Sequence, residues 1–227
     1  LTTKGILAPD TVVNEGTLRF AGDIDLTAQP KTLRLRKPMK IIEQVNINDQ
    51  LTQNLLEYVN PFFAGATRVS GIADFSCDQL VLPLGPAQKD PLAMQAVLDI
   101  RQMNMRPGGG LQKLMEAVGS SPSTTMTLHP TSLRIRDQIL EYEKMQLDIG
   151  NNPIDFAGRI GLDRKLNLTM QLPWTIGGGT IRSGQTAADR ITVAVGGTID
   201  KPEIDWGKIL QQNVDQLIRQ GLERLLR

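Results

Sequence analysis

An aliphatic side chain at every second position is the feature that most constrains what this chain can fold into. In KLNLTMQLP, Leu166, Leu168, Met170 and Leu172 alternate with polar neighbours, and in RITVAVGGTID, Ile191, Val193, Val195 and Ile199 do the same. Successive side chains of a strand point to opposite faces, so these segments bury one face and wet the other. Strands of this one-sided kind belong to antiparallel sheets. The rhythm recurs in Thr17–Thr27, with Leu18, Phe20, Ile24 and Leu26 opposed to Arg19, Asp23 and Asp25, and with Gly22 at its middle where a sheet can bend. Shorter stretches with Leu33 and Leu35, and with Leu133 and Ile135, repeat it.

Three segments carry helical spacing instead. NDQLTQNLLEYVNP offers Asp49 as an N-cap, apolar Leu51, Leu55, Leu56 and Val59, and a stop at Asn60 before proline. Leu111, Leu114, Met115 and Val118 form a second stripe. Leu210, Val214, Leu217, Ile218, Leu222 and Leu225 form the third, which runs from Trp206 to the end. No stretch rich in Ser, Gly or Pro marks a long linker. The reading is one domain over residues 1–227, within which two similar halves, approximately 1–119 and 120–227, meet in the loop Gly119–Thr124.

Charge and chemistry then exclude functions. With 25 Lys and Arg against 24 Asp and Glu, scattered rather than clustered, the chain lacks the cationic stripe that nucleic-acid binding needs. Aromatic residues at 4% leave no stacking platform for single strands. The lone Cys77 rules out an internal disulfide and any multi-cysteine zinc site, and reads as a small buried hydrophobe in a strand. The single histidine, His129, falls in the loop-like TLHPTS and reads as a turn residue before Pro130, with neither nucleophile nor orienting carboxylate nearby in sequence. The glycine runs Gly108–Gly110 and Gly177–Gly179 lack the order of a phosphate-binding loop and read as turns. No metal-ligand spacing occurs, so neither metal nor cofactor is expected. A hydrolase using two of the 24 acids is left open, because sequence does not place carboxylates across strands.

Three strings carry more than composition. NPFFAGATRVSGIADFSCDQLVLPLG, GRIGLDRKLNLTMQLP and VGGTIDKPEID resemble, in that order, the C-terminal region of the AsmA-like family of bacterial envelope proteins, over most of the chain from Asn60 onward. DQILEYEKMQLDIGNNPIDFAGRIGLD looks like that family's paired strands, in which a strand, a turn and a return strand precede a further alternating strand.

The resemblance implies a mainly β fold with a few amphipathic helices: a curved, groove-like antiparallel sheet with helices packed at one face or end. It also implies an apolar concave face, similar to bridge-type lipid-transfer proteins and the TamB relatives, and a periplasmic location in a Gram-negative-type envelope. Such proteins are anchored in the inner membrane. This sequence starts at Leu1 and shows no span, so the expectation is that a native protein carries such an anchor upstream. The family supplies no catalytic residues.

The expected function is therefore non-enzymatic: binding or guiding lipid acyl chains and maintaining the outer membrane, with lipid and envelope proteins as partners. The expected lipid-contacting residues are Leu166, Leu168, Met170, Leu172, Ile191, Val193 and Val195. The residues themselves leave two covers open for that face, the terminal helix or an acyl chain. The small cationic bias of Lys208, Arg219, Arg224 and Arg227 over Asp215 and Glu223 favours packing of that helix on the sheet over adsorption to a membrane. The alternative function is an interaction module that docks envelope partners through a sheet edge or helix without lipid.

Overall fold

The computed structural model describes residues 3–52, 56–63, 67–85, 92–106, 112, 113, 115, 126–173 and 190–204. Among them the protein is mainly β, in one antiparallel sheet of twelve strands. These are β1 (Thr3–Val13), β2 (Gly16–Asp25), β3 (Lys31–Leu35), β4 (Met39–Asn46), β5 (Thr67–Leu84) and β6 (Ala93–Arg106). They continue as β7 (Met126–Arg136), β8 (Ile139–Ile149), β9 (Asn152–Gly161), β10 (Leu166–Pro173), β11 (Arg190–Gly197) and β12 (Pro202–Ile204). From β5 to β12 each strand lies beside the next one in sequence. β3 and β4 both bridge β2 to β5, at different levels, on either side of the break at Lys37 and Pro38.

Turn chemistry sets these neighbours. Asn14 and Glu15 join β1 to β2, and Asp137 and Gln138 join β7 to β8, with positive φ at both central residues of each turn. That backbone matches the right-handed twist of the strands it connects. Between β8 and β9, Gly150 supplies the left-handed position, at φ 60°. The strand, turn and return strand expected over Asp137–Asp163 are thus present as β8 and β9, with β10 following.

The strongest sequence pattern is reproduced in burial. Along β10 and β11 the alternate residues Leu166 to Leu172 and Ile191 to Val195 are buried while their polar neighbours are exposed. In β2 the expected contrast between faces is absent, because nearly every residue is half-buried. Its polar side holds ion pairs, Asp23 to Arg36 at 2.7 Å and Arg19 to Glu43 at 2.9 Å, while its apolar side is only partly covered.

Two local expectations need correction. TLHPTS is no loop: His129 and Pro130 lie inside β7. The predicted helix from Asp49 is present as short turns, α1 (Asp49–Leu51) and α2 (Glu57–Val59), followed by a 3-10 turn at Pro61–Phe63. Its N-cap is Asn48, whose side chain accepts the Leu51 N–H at 2.9 Å. Asp49 instead accepts the Val69 N–H at 3.2 Å, tying the turn to β5. Asn60 is extended, as a residue before proline should be.

The second predicted helix lies outside the described residues apart from Gln112, Lys113 and Met115, of which Met115 is buried. The terminal helix, the joint between the two halves and both glycine runs also lie outside the described residues.

One glycine is required by the sheet itself. Gly158 sits in β9 at φ 132°, and a Cβ there would lie 2.4 Å from the Asn167 carbonyl oxygen on β10. Gly158→Ala is expected to lower stability by about 1–3 kcal/mol through backbone strain and that clash. Urea unfolding followed by circular dichroism checks this, and an unchanged midpoint would show that β9 relaxes freely.

Candidate functional site

The register of the sheet turns separate alternating strands into one surface. Cross-strand partners share a face, so the pairs Leu80↔Met94, Met94↔Ile135, Ile135↔Leu140, Leu140↔Ile160 and Ile160↔Leu166 form an apolar row across six strands, β5 to β10. A second row runs Ala73, Ile100, Leu128, Leu147, Ile154. Leu82 lies two positions from Leu80, on the same face, and continues the surface through Leu33 to Ile24 on β2.

All seven predicted ligand-contacting residues belong to this surface. Leu168 faces Val195, Met170 faces Val193, and Leu172 faces Ile191. Each is buried: Leu166 and Ile191 keep 7% of their surface, Leu168 and Leu172 2%, Val193 and Val195 1%, and Met170 none. Burying such side chains contributes about 1.5–3 kcal/mol each, against about 0.2–1 kcal/mol for an exposed ion pair. The apolar face, not the charged one, therefore holds this part of the sheet.

Burial is uneven along the surface. On β8 to β11 it is nearly complete, whereas Leu80, Met94 and Ile135 in the first row are half-buried. At the far corner Leu26 keeps 39% of its surface, and Leu82 and Leu84 keep 37% each.

Among the described residues, Leu56, Val59, Phe62 and Phe63 pack into the buried part. The Phe62 ring lies 5.1 Å from that of Phe156. Asn60, itself buried, donates from Nδ2 to the Met145 sulfur at 3.3 Å and accepts the Phe62 N–H at 2.9 Å. Tyr58 is held at the margin by Arg164, whose Nη1 donates to the phenol oxygen at 2.6 Å. None of these residues was read as part of the site. The motif NPFF carries the clue, two adjacent aromatics in a chain with few, but only the fold shows which strands they meet.

The opposite face is polar and cross-braced. Lys40 and Arg101 both reach Asp74, which also accepts the Gln44 N–H at 3.1 Å. Lys144 and Arg190 converge on Asp155. Burial works to raise the Asp74 carboxyl, but the Gln44 N–H, Lys40 and Arg101 outweigh it and hold the group below its ordinary value of 3.8. Burial likewise pushes the Tyr142 hydroxyl and the Cys77 thiol upward. Cys77 is fully buried in β5, as its small-hydrophobe reading requires.

His129 has an orienting carboxylate, though not one from its own stretch of sequence. Asp148 on β8 meets its Nε2 at 2.7 Å, supplied by pairing across strands rather than by neighbours in the chain. Among the described residues no group of three or more His, Cys, Asp or Glu is placed to hold a metal ion, and no helix is long and apolar enough to cross a membrane.

Compared with known proteins, the chain matches no family model, no curated protein and no solved structure.

The Asp74 cluster makes a pH prediction. A carboxyl held below its unfolded value contributes stability that is present above that value and lost as pH falls through the folded one. Stability should therefore decline as pH drops below about 4. Asp74→Asn should be less stable than the parent at pH 7 and lose less on acidification. Urea midpoints measured from pH 7 to pH 3 check this, and parallel curves for the two proteins would remove Asp74 from the account.

Proposed function

We propose that this chain is a non-enzymatic, periplasmic protein of the cell envelope that holds or guides lipid acyl chains along the apolar face of its sheet and so serves outer-membrane maintenance. The observation that carries the reading is the unbroken apolar surface that is sealed at β8–β11 and half-open at Leu26, Leu33, Leu82 and Leu84. A soluble surface seldom leaves a contiguous apolar area of this kind without an occupant. An acyl chain needs only a strip of aliphatic side chains and makes no demand for hydrogen bonds. The likeness of three strings to the AsmA-like family points the same way, and with it comes the finer architecture: a curved, groove-like sheet whose helical segments pack on one face. In this reading Leu56, Val59, Phe62 and Phe63 close one end of the groove, and Ile24, Leu33 and Leu82 line the other.

A second reading draws on the sheet edge. Among the described residues β1 pairs only with β2, and its Val12 is 80% exposed, so a partner strand could add there without any lipid.

The test uses purified protein and a photoactivatable twelve-carbon fatty acid. Labelling is expected to concentrate at Leu33, Leu80, Leu82 and Met94. Leu82→Glu should reduce it roughly tenfold while leaving the urea midpoint nearly unchanged, since the position is partly exposed. Native mass spectrometry of the parent should show co-purified lipid. Labelling that is absent, or spread evenly over the surface, would overturn the acyl-chain reading. Concentration-dependent dimerisation through β1 without bound lipid would favour the edge.

A further inference from the structure

The open corner of the apolar surface ends on lysine. Lys31 opens β3 and pairs with Leu84 on β5, two positions from the pair Leu33↔Leu82, so the register sets it on the apolar face. The neighbouring row, from Leu82 through Leu33 and Ile24, ends on β1 at Lys4. Two strand spacings, about 10 Å, separate β1 from β3. The two rows traced from β5 onward carry no charged residue, so this face is charged where it is also open.

Lys31 is exposed and makes no salt bridge among the described residues. Beside it Leu84 keeps 37% of its surface, and Leu26, just past the end of β2, keeps 39%. The acids of β2 do not answer it. Asp23 and Asp25 alternate with Ile24 and so lie on the polar face. There Asp23 meets Arg36 at 2.7 Å, and Asp25 accepts the Thr27 hydroxyl at 2.6 Å and the N–H groups of Thr27 and Ala28. Protection of a sheet edge, a usual task for lysine in strands, does not account for Lys31 either. β3 is paired on both sides, with β2 and with β5.

We propose that this corner receives the acidic head of a lipid whose acyl chain lies along the apolar surface, so that the protein selects amphiphiles with an anionic head over neutral or cationic ones. The proposal rests on the acyl-chain reading above and adds a direction to it. A lysine ammonium on its flexible stem meets an anionic oxygen as a point charge, and the methylenes of the stem cover apolar surface while the charge stays in water. From Leu84 to Leu80 along β5 is about 13 Å. A head at Lys31 therefore leads its chain past Leu82 to Leu80 and Met94, where burial deepens. A small anion without a chain gains only an exposed ion pair and is not held.

The experiment titrates the full chain with dodecanoate, 1-dodecanol and dodecyltrimethylammonium, each below its micelle concentration, and follows backbone amide shifts at Lys31–Leu35 and Val81–Leu84. Dodecanoate is expected to bind about fivefold more tightly than dodecanol, and the cation more weakly than either. The advantage of the acid should shrink between about 0.02 and 0.5 M salt. Lys31→Gln should lower the ratio of dodecanoate to dodecanol affinity by most of that factor, and Lys4→Gln combined with it should bring the ratio to about one. Because the ratio is read within one protein, a general loosening of the corner does not move it. Equal affinity of the parent for acid and alcohol, or an unchanged ratio in the double variant, would overturn the head-group proposal and leave the acyl-chain reading in place. The same shifts with acetate alone would also overturn it, by showing an ion site that needs no chain. Binding of none of the three amphiphiles would sink the acyl-chain reading, and the proposal with it.

Discussion

A single layer of sheet has two faces, and here only one of them is apolar. From β8 to β11 the side chains on that face lose nearly all contact with water, and each contributes more than the ion pairs on the other side. Because side chains alternate, sliding any of these strands by one residue would turn its whole apolar set into solvent. The register is therefore set by burial. The turns at Asp137 and Gln138 and at Gly150 agree with it rather than impose it. Gly158 shows how tight the agreement is, since its place between Tyr142 and Leu168 leaves no room even for a methyl group.

The polar face explains the balanced charge of the chain. Its acids and bases are used against each other across strands, as at Asp74 with Lys40 and Arg101 and at Asp155 with Lys144 and Arg190. Little charge is left to form a patch that would draw a polyanion.

What the sequence made legible was the local signal. Leu166 to Leu172 and Ile191 to Val195 state their own alternation, and burial follows it residue by residue. The pairing of β8 with β9 was expected from the likeness of Asp137–Asp163 to paired strands of a known family and not from alternation; in the fold Gly150 makes the turn between them. Long-range placement was not legible. That Phe62 would meet Phe156, or Tyr58 meet Arg164, depends on which strands are neighbours and not on any periodicity. The place of His129 was misread because a proline after it signals a break, and here the break does not end the strand: β7 carries one extra residue relative to β6 between Leu128 and Thr131 and runs on. β2 misled in the opposite way, with clear alternation in its letters and little in its exposure, because its greasy side faces the open corner of the sheet.

The order of the strands has a consequence for growth. From β5 onward the sheet is laid down in the order in which the chain is made, each strand docking on the edge its predecessor has just exposed. Contacts of that kind are close in sequence and assemble without waiting for distant partners. An architecture built this way has no fixed circumference: a hairpin gained or lost at any point leaves every other pairing where it was, and the length of the surface becomes a quantity that evolution can adjust one hairpin at a time.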